Sequence, residues 1–317
     1  MIDQRQLARS KQIHRETGKT FYVATRFLPQ RVRHPTYVLY AFFRLADEVV
    51  DGDNDLTPAE RAARLESFRR GALGEAPTDV PVLAAFADVR ERHGIPASDV
   101  NRFVDAMATD VETARYETYD DLREYMDGSA AAVGRMMTAV MAPERPERAL
   151  PAATALGEAF QLTNFIRDVR EDLLERDRIY LPAETLRAHG ASHEQIARLE
   201  FDGAVADAVQ AELSRAEALY RDGVAGIDLL PADCQFPVLL AAILYADHHR
   251  LIRDLEYDVL STTPALSTAR KLRLAAQARL VWQFDRDPVT VFHRLSAVHG
   301  EPPRTGLQRL TGRFPVP

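Results

Sequence analysis

The chain has 317 residues, 46% of them hydrophobic and 27% charged, with a formal charge of −7. This is ordinary soluble globular composition with enough apolar side chains for a large core, and the acidic balance excludes a nucleic-acid binder, which needs a basic face to track phosphates. A single cysteine, Cys234, excludes an internal disulfide and a thiolate zinc site; it reads as a small core residue in a reducing cytoplasm. Of the 40 basic residues only Lys11, Lys19 and Lys271 are lysine, a bias that a GC-rich genome produces without functional meaning.

Helical periodicity dominates from the first residues, and strand-like alternation is hard to find. The N-terminal stretch MIDQRQLARSKQIHRETGK is polar throughout and lacks the apolar core of a secretory signal. Helices are predicted over 2–17, 35–51, 58–71, 81–93, 97–115, 118–140, 151–175, 193–198, 203–226, 235–258 and 266–282. The segment GDNDLTPAE (52–60) is a loop entering a helix, with Thr57 as N-cap, Pro58 at N1 and Glu60 at N3. Further breaks fall at 74–81, 142–151, 181–186, 228–237 and 260–264. The longest apolar run, FPVLLAAILYA (236–246), has the length of a buried helix and is too short to span a bilayer. From about 284 the chain is less regular. With no repeat and no composition shift, the prediction is one all-α domain over 1–317.

The first unusual segment is YAFFRLADEVVDG (40–52). Successive helical residues turn by roughly 100°, so Tyr40, Arg44, Asp47 and Asp51 project within an arc of roughly 60°. The rest of the helix is aromatic and aliphatic. A solvated face with Arg44 paired to Asp47 or Glu48 is one reading. The other is a buried helix whose charges face an interior cavity, because a helix apolar nearly all round is a buried one.

The segment GEAFQLTNFIRDVREDLLERDRIYLP (157–182) repeats the pattern. Gln161, Asn164, Asp168 and Asp172 share a strip of roughly 80°. Two Asp-x-x-x-Asp faces far apart in sequence are explained together by one cavity between them. Facing carboxylates repel unless cations intervene. Oxygen donors without Cys or His select a hard ion such as Mg²⁺, which keeps its waters and is completed by substrate phosphates. No Gly-rich phosphate loop is present, so the pattern points to a diphosphate–metal site inside an apolar helical cavity.

The sequence resembles the squalene/phytoene synthase family over residues 10–260, on its phytoene-forming side. The carriers are GKTFYVATRFLP (18–29), YAFFRLADEVVDG (40–52), YMDGSAAAVGRMM (125–137), QLTNFIRDVREDLLERDRIYLP (161–182) and PVLLAAILY (237–245). The resemblance implies an all-α isoprenoid-synthase fold with the two Asp-rich helices facing across a central apolar cavity. It implies head-to-head joining of two prenyl diphosphates through a cyclopropylcarbinyl diphosphate. Phytoene-forming members finish by losing a proton, so no NADPH is expected; squalene-forming members finish with hydride.

By the same resemblance, Asp47, Asp51, Asp168 and Asp172, with Asn164, hold Mg²⁺, for which Mn²⁺ is a substitute. Arg44, Arg167, Arg178 and Lys19 grip diphosphate oxygens, and Gln161 orients metal water or diphosphate. Phe21, Tyr40, Tyr125, Tyr180 and Tyr245 line the cavity, and Gly134 leaves room for a prenyl chain. The run Ala130–Gly134 has a second reading, close helix packing. Departures from the family are Ala131 where it usually has Gly, Asp127 where an aromatic is common, Ala246 where an Arg is common, and one extra residue between Asp172 and Arg178.

Two rivals stay open. A farnesyl-diphosphate user would make dehydrosqualene, squalene or hydroxysqualene, and a non-catalytic assembly factor would share the fold. His248 and His249 point roughly 100° apart and suit no shared metal; Asp53 and Asp55 read as a polar loop. Lipidic substrate and product imply a cytoplasmic enzyme in transient peripheral contact with membrane, though no basic amphipathic helix marks the contact surface.

Overall fold

The computed structural model describes residues 4–17, 19–52 and 56–298; the side chains at 4, 5, 17, 19, 51 and 112 fall outside the described residues. Asp53 and Asp55 lie outside them as well. Among the described residues there is no β-strand, only an isolated bridge between Arg115 and Ile179. The helices are α1 (Gln4–Thr17), α2 (Lys19–Thr25), α3 (Gln30–Asp51), α4 (Pro58–Leu73), α5 (Pro81–His93), α6 (Ala97–Glu112), α7 (Tyr119–Met126), α8 (Ala132–Met141), α9 (Pro146–Arg167), α10 (Val169–Arg176), α11 (Ala183–Ala188), α12 (His193–Ala197), α13 (Gly203–Val224), α14 (Ala232–Asp254), α15 (Thr268–Trp282) and α16 (Pro288–Leu295). None is long and apolar enough to cross a membrane.

Several starts follow the expected chemistry. Thr57 and Glu60 form a complete capping box at α4, with Pro58 in the first turn. Three helices begin earlier than predicted: α3, α9 and α14 carry Pro35, Pro151 and Pro237 inside. Each proline is the sixth residue of its helix, so only one main-chain bond near the end is lost and the helix continues. The predicted breaks at 142–151, 181–186 and 228–237 are correspondingly shorter, and α11 and α16 form within stretches expected to be irregular.

α7 and α8 are joined by a π-helical turn over Asp127–Ala131. Asp127 anchors it by accepting hydrogen bonds from Arg102 and from Arg135, the latter at 2.8 Å, while Arg135 also bridges to Asp99 at 2.7 Å. The departure at Asp127 therefore has a structural use. Beside this turn, α9 comes to backbone contact: a Cβ on Gly157 would lie 2.6 Å from the Ala130 carbonyl oxygen, and one on Gly134 2.4 Å from that of Ala153. The run packs closely against α9, and Ala130 and Gly134 also line the central cavity.

The core has two regions. In one, Phe42 stacks on Phe86 at 3.8 Å and on Phe68 at 5.0 Å, holding α3 against α4 and α5. The other surrounds α14, whose Leu239, Leu240, Ile243 and Leu244 are buried. Cys234 is buried and free, as its reading as a core residue requires. Between the two regions lies a cavity of about 680 Å³, walled by α2, α3, α6, α8, α9 and α14.

Candidate active site

The cavity has a charged end and an apolar end. α3 presents Tyr40, Arg44 and Asp47 to it, as the spacing predicts. Arg44 lies 3.9 Å from Asp47 and 3.6 Å from Glu48, so local pairing and a cavity-facing strip coexist. Asp51 occupies the last turn of α3 and Lys19 the first of α2, but their side chains fall outside the described residues.

The facing wall is not the single helix predicted over 151–175. The chain breaks at Asp168 (φ −101°, ψ 13°), separating α9 from α10. The Asp168 N–H still donates to Asn164 and the Asp172 N–H to Asp168, each at 2.8 Å. The turn therefore carries on, and Gln161, Asn164, Asp168 and Asp172 all reach the cavity. Arg167 donates through Nε to Asp168 at 2.6 Å, and Arg176 approaches Asp172 at 3.3 Å. Burial, and then the neighbouring Asp168 carboxylate, push the Asp172 carboxyl up to about 7. The Asn164 Oδ1 is buried and has no hydrogen-bond partner among the described residues.

These observations test the fit of a cation. A carboxyl driven toward its neutral form by burial and then by a second carboxylate, with an orphaned amide oxygen on the same wall, is a donor set short of positive charge. All are hard oxygen donors, which suits Mg²⁺ or Mn²⁺. Among the described residues no three His, Cys, Asp or Glu side chains gather into a closed metal cage. The carboxylates come from separate elements, Asp47 from α3 and Asp168 and Asp172 from the junction of α9 and α10.

A second group of polar residues flanks this end. Tyr125 donates to Asp110 at 2.6 Å, Tyr180 to the other Asp110 oxygen at 3.4 Å, and Arg178 to the Asp110 backbone carbonyl at 2.8 Å. Tyr180 stacks on Phe165 at 3.9 Å. Burial, and then the Asp110 charge, push the hydroxyls of Tyr125 and Tyr180 up, so both stay protonated. The extra residue between Asp172 and Arg178 is absorbed at Asp177, which adopts a left-handed conformation and lets Arg178 N–H return to the Asp172 carbonyl at 3.0 Å. Arg178 thus reaches the cavity despite the longer spacer.

Further in, Phe21 and Phe160 meet Tyr245 at 4.2 and 4.9 Å. Beyond them the lining is small or aliphatic: Ala149, Ala152, Ala153, Met137, Met141 and Leu230. Along α9, Ala149 and Asn164 are 15 residues apart, a span of roughly 22 Å. One narrow chamber therefore runs from carboxylates to aliphatic residues. Its lining sets arginines and carboxylates at one end and aromatic and aliphatic side chains along the rest, a chemistry suited to an anionic head group on an apolar chain.

Asp110, Phe160, Arg176 and His14 line the cavity and were not singled out from the sequence. Asp110 continues the face of Phe103 and Met107 at 4-3 spacing, a signal that could have found it. His14 stacks on Tyr40 at 4.0 Å, and neither ring nitrogen has a hydrogen-bond partner among the described residues; burial pushes it down to about 3, so it is neutral. His248 and His249 are structural. The first meets the Tyr245 carbonyl oxygen at 3.0 Å, and the second sits between Thr163 at 2.9 Å and Glu217 at 3.4 Å.

An all-helical fold around an apolar chamber with carboxylates and arginines at one end defines a prenyl-diphosphate-handling enzyme class. The squalene/phytoene synthase family model matches residues 14–273, and the chain belongs to that family. It is 32% identical over 288 residues to a phytoene synthase of Rhodobacter capsulatus, covering 88% of this chain and 83% of the relative. It is 31% identical over 281 residues to a 15-cis-phytoene synthase of Synechococcus elongatus, covering 83% and 88%. Among solved structures, a dehydrosqualene synthase in complex with ligand superposes with a TM-score of 0.79 at 28% identity, covering 89% of this chain and 98% of that one.

Proposed function

We propose that the chain is a phytoene synthase, condensing two geranylgeranyl diphosphates head to head with release of pyrophosphate. The observation that carries this reading is the single chamber itself, with Asp47, Asp168, Asp172 and the orphaned Asn164 oxygen at one end and small aliphatic residues at the other. The names of the phytoene-synthase relatives support the choice of substrate and product.

Asp47, Asp51, Asp168, Asp172 and Asn164 would hold Mg²⁺, or Mn²⁺ in its place, which would supply Lewis-acid neutralisation of the leaving pyrophosphate. Arg44, Arg167, Arg178 and Lys19 bind diphosphate oxygens, and Gln161 orients them. Tyr125 and Tyr180, kept protonated, spend their hydroxyl protons on Asp110 and hold that wall of the site in place. The chamber excludes water, so the allylic cation formed on C–O cleavage meets the second substrate's double bond before it meets hydroxide. Phe21, Tyr40 and Tyr245 turn aromatic faces toward that cation. The adduct cation closes with loss of one proton to a cyclopropylcarbinyl diphosphate; ionisation with departure of the second pyrophosphate, rearrangement and loss of a second proton then give phytoene without NADPH.

The test is incubation of purified protein with Mg²⁺ and geranylgeranyl or farnesyl diphosphate, with and without NADPH. Phytoene from geranylgeranyl diphosphate, independent of NADPH, is expected. Asp47→Asn or Asp168→Asn should lower turnover at least a hundredfold with the fold intact. Dehydrosqualene or squalene made only from farnesyl diphosphate would move the chain to the farnesyl branch, and no pyrophosphate from either would favour a scaffold.

A further inference from the structure

α15 packs on α14 through Leu274, Ala275, Ala278 and Trp282, which are buried. Its other side is apolar too. Leu272 is 60% exposed, Leu280 58% and Phe284, in the turn that follows the helix, 84%. With exposed Ala276 they recur every fourth residue, forming one outward ridge. Exposed Arg273 and Arg279 flank it. Between Asp258 and Asp285 the chain contains Arg270, Lys271, Arg273 and Arg279 and no acidic residue; Arg270 is taken up by Asp247 at 2.8 and 2.9 Å, which leaves Arg273 and Arg279 as the exposed arginines of the helix. A helix apolar on both sides does not show an amphipathic pattern in sequence, which is why this surface escaped the sequence reading.

The inner face of α15 meets an aromatic pair whose chain neighbours line the chamber. Trp282 lies 6.0 Å from Phe236, the Arg279 guanidinium 5.5 Å from the same ring, and Phe27, 45% exposed, 5.5 Å from it. The chain neighbours Leu28 and Pro237 line the chamber.

We propose that the α15 ridge with Phe27 is the surface by which this protein docks on an anionic lipid bilayer. Large exposed apolar side chains at this spacing enter the acyl boundary, and the arginines beside them meet lipid phosphates. This places the aliphatic end of the chamber next to the acyl phase. The inference deepens the reading above, since a lipid substrate and product need a membrane source and sink, but binding to vesicles is measured without substrate and stands or falls separately.

The experiment is sedimentation of the full chain with phosphatidylcholine vesicles, with and without phosphatidylglycerol. Binding is expected to the mixed vesicles, weaker in high salt. The Leu280→Ser/Phe284→Ser double variant should partition at least tenfold less while turning over detergent-dispersed substrate at the wild-type rate. Arg273→Gln/Arg279→Gln should lose the preference for anionic lipid. The proposal is overturned if wild type does not bind, if the double variant binds equally, or if gel filtration shows the double variant dissociating a wild-type dimer, which would make a second copy the occupant. Binding that emerges only when residues 299–317 are removed would assign the face to that segment.

Discussion

Asp172→Asn should make the metal-free protein more stable while destroying its activity. In the absence of cation the Asp172 carboxyl is raised from 3.8 to about 7. At about 1.4 kcal/mol per tenfold change in acidity, this is a destabilisation of about 4 kcal/mol once the group must ionise. The sign follows from linkage: a folded-state pKa above the unfolded one leaves its contribution intact below pH 3.8 and removes it as pH rises through about 7. Asparagine, neutral at every pH, escapes the loss. For 317 residues, about 4 kcal/mol corresponds to a melting temperature higher by about 6 °C. Thermal denaturation in EDTA at pH 8 and pH 4.5 measures it, with a gain of about 4 kcal/mol at the first and about 1 kcal/mol at the second. Mg²⁺ at pH 8 should raise the wild type more than the variant, narrowing the gap. A gap equal at both pH values, or a variant less stable than wild type at pH 8, would refute the account of two crowded carboxylates awaiting a cation.

Ala153→Phe projects a ring into the aliphatic end of the chamber, so the kcat/KM ratio of geranylgeranyl to farnesyl diphosphate should fall at least tenfold; an unchanged ratio would mean that the chain ends elsewhere. His14 is neutral, held down to about 3 by burial. A base with a depressed folded-state pKa contributes stability above its ordinary value of 6.5 and loses it as pH falls. Between pH 8 and pH 5 that loss is about 2 kcal/mol, so His14→Leu should show a pH-dependent drop smaller by that amount in urea denaturation, and an identical drop would show that His14 is solvated.

The two polar faces could be read directly because helical spacing alone decides which residues share a side, and Tyr40, Arg44, Asp47, Gln161, Asn164, Asp168 and Asp172 all reach one cavity. The break at Asp168 could not, because nothing in that segment is a helix breaker; the local feature there is an ion pair between the sequence neighbours Arg167 and Asp168, which spacing does not reveal. Asp110 was passed over because its partners, Tyr125, Arg178 and Tyr180, come from distant segments. Pro35 and Pro151 act in the opposite direction: expected as helix starts, they lie at the sixth position, where the helix has already nucleated. α15 was placed correctly to its last residue, yet its exposure depends on what does not pack against it.

The π-helical turn at Asp127–Ala131 has a consequence for alignment by length. Tyr125 and Gly134, nine residues apart, would stand on opposite sides of a straight α-helix, roughly 180° from each other. Absorbing one residue in a bulge brings them to roughly 80°, and both look into the same chamber. A single-residue deletion between Met126 and Ala132 would therefore close the bulge into a plain α-helix and leave the two walls in place, whereas one further inserted residue would turn one wall away from the other by roughly 100°.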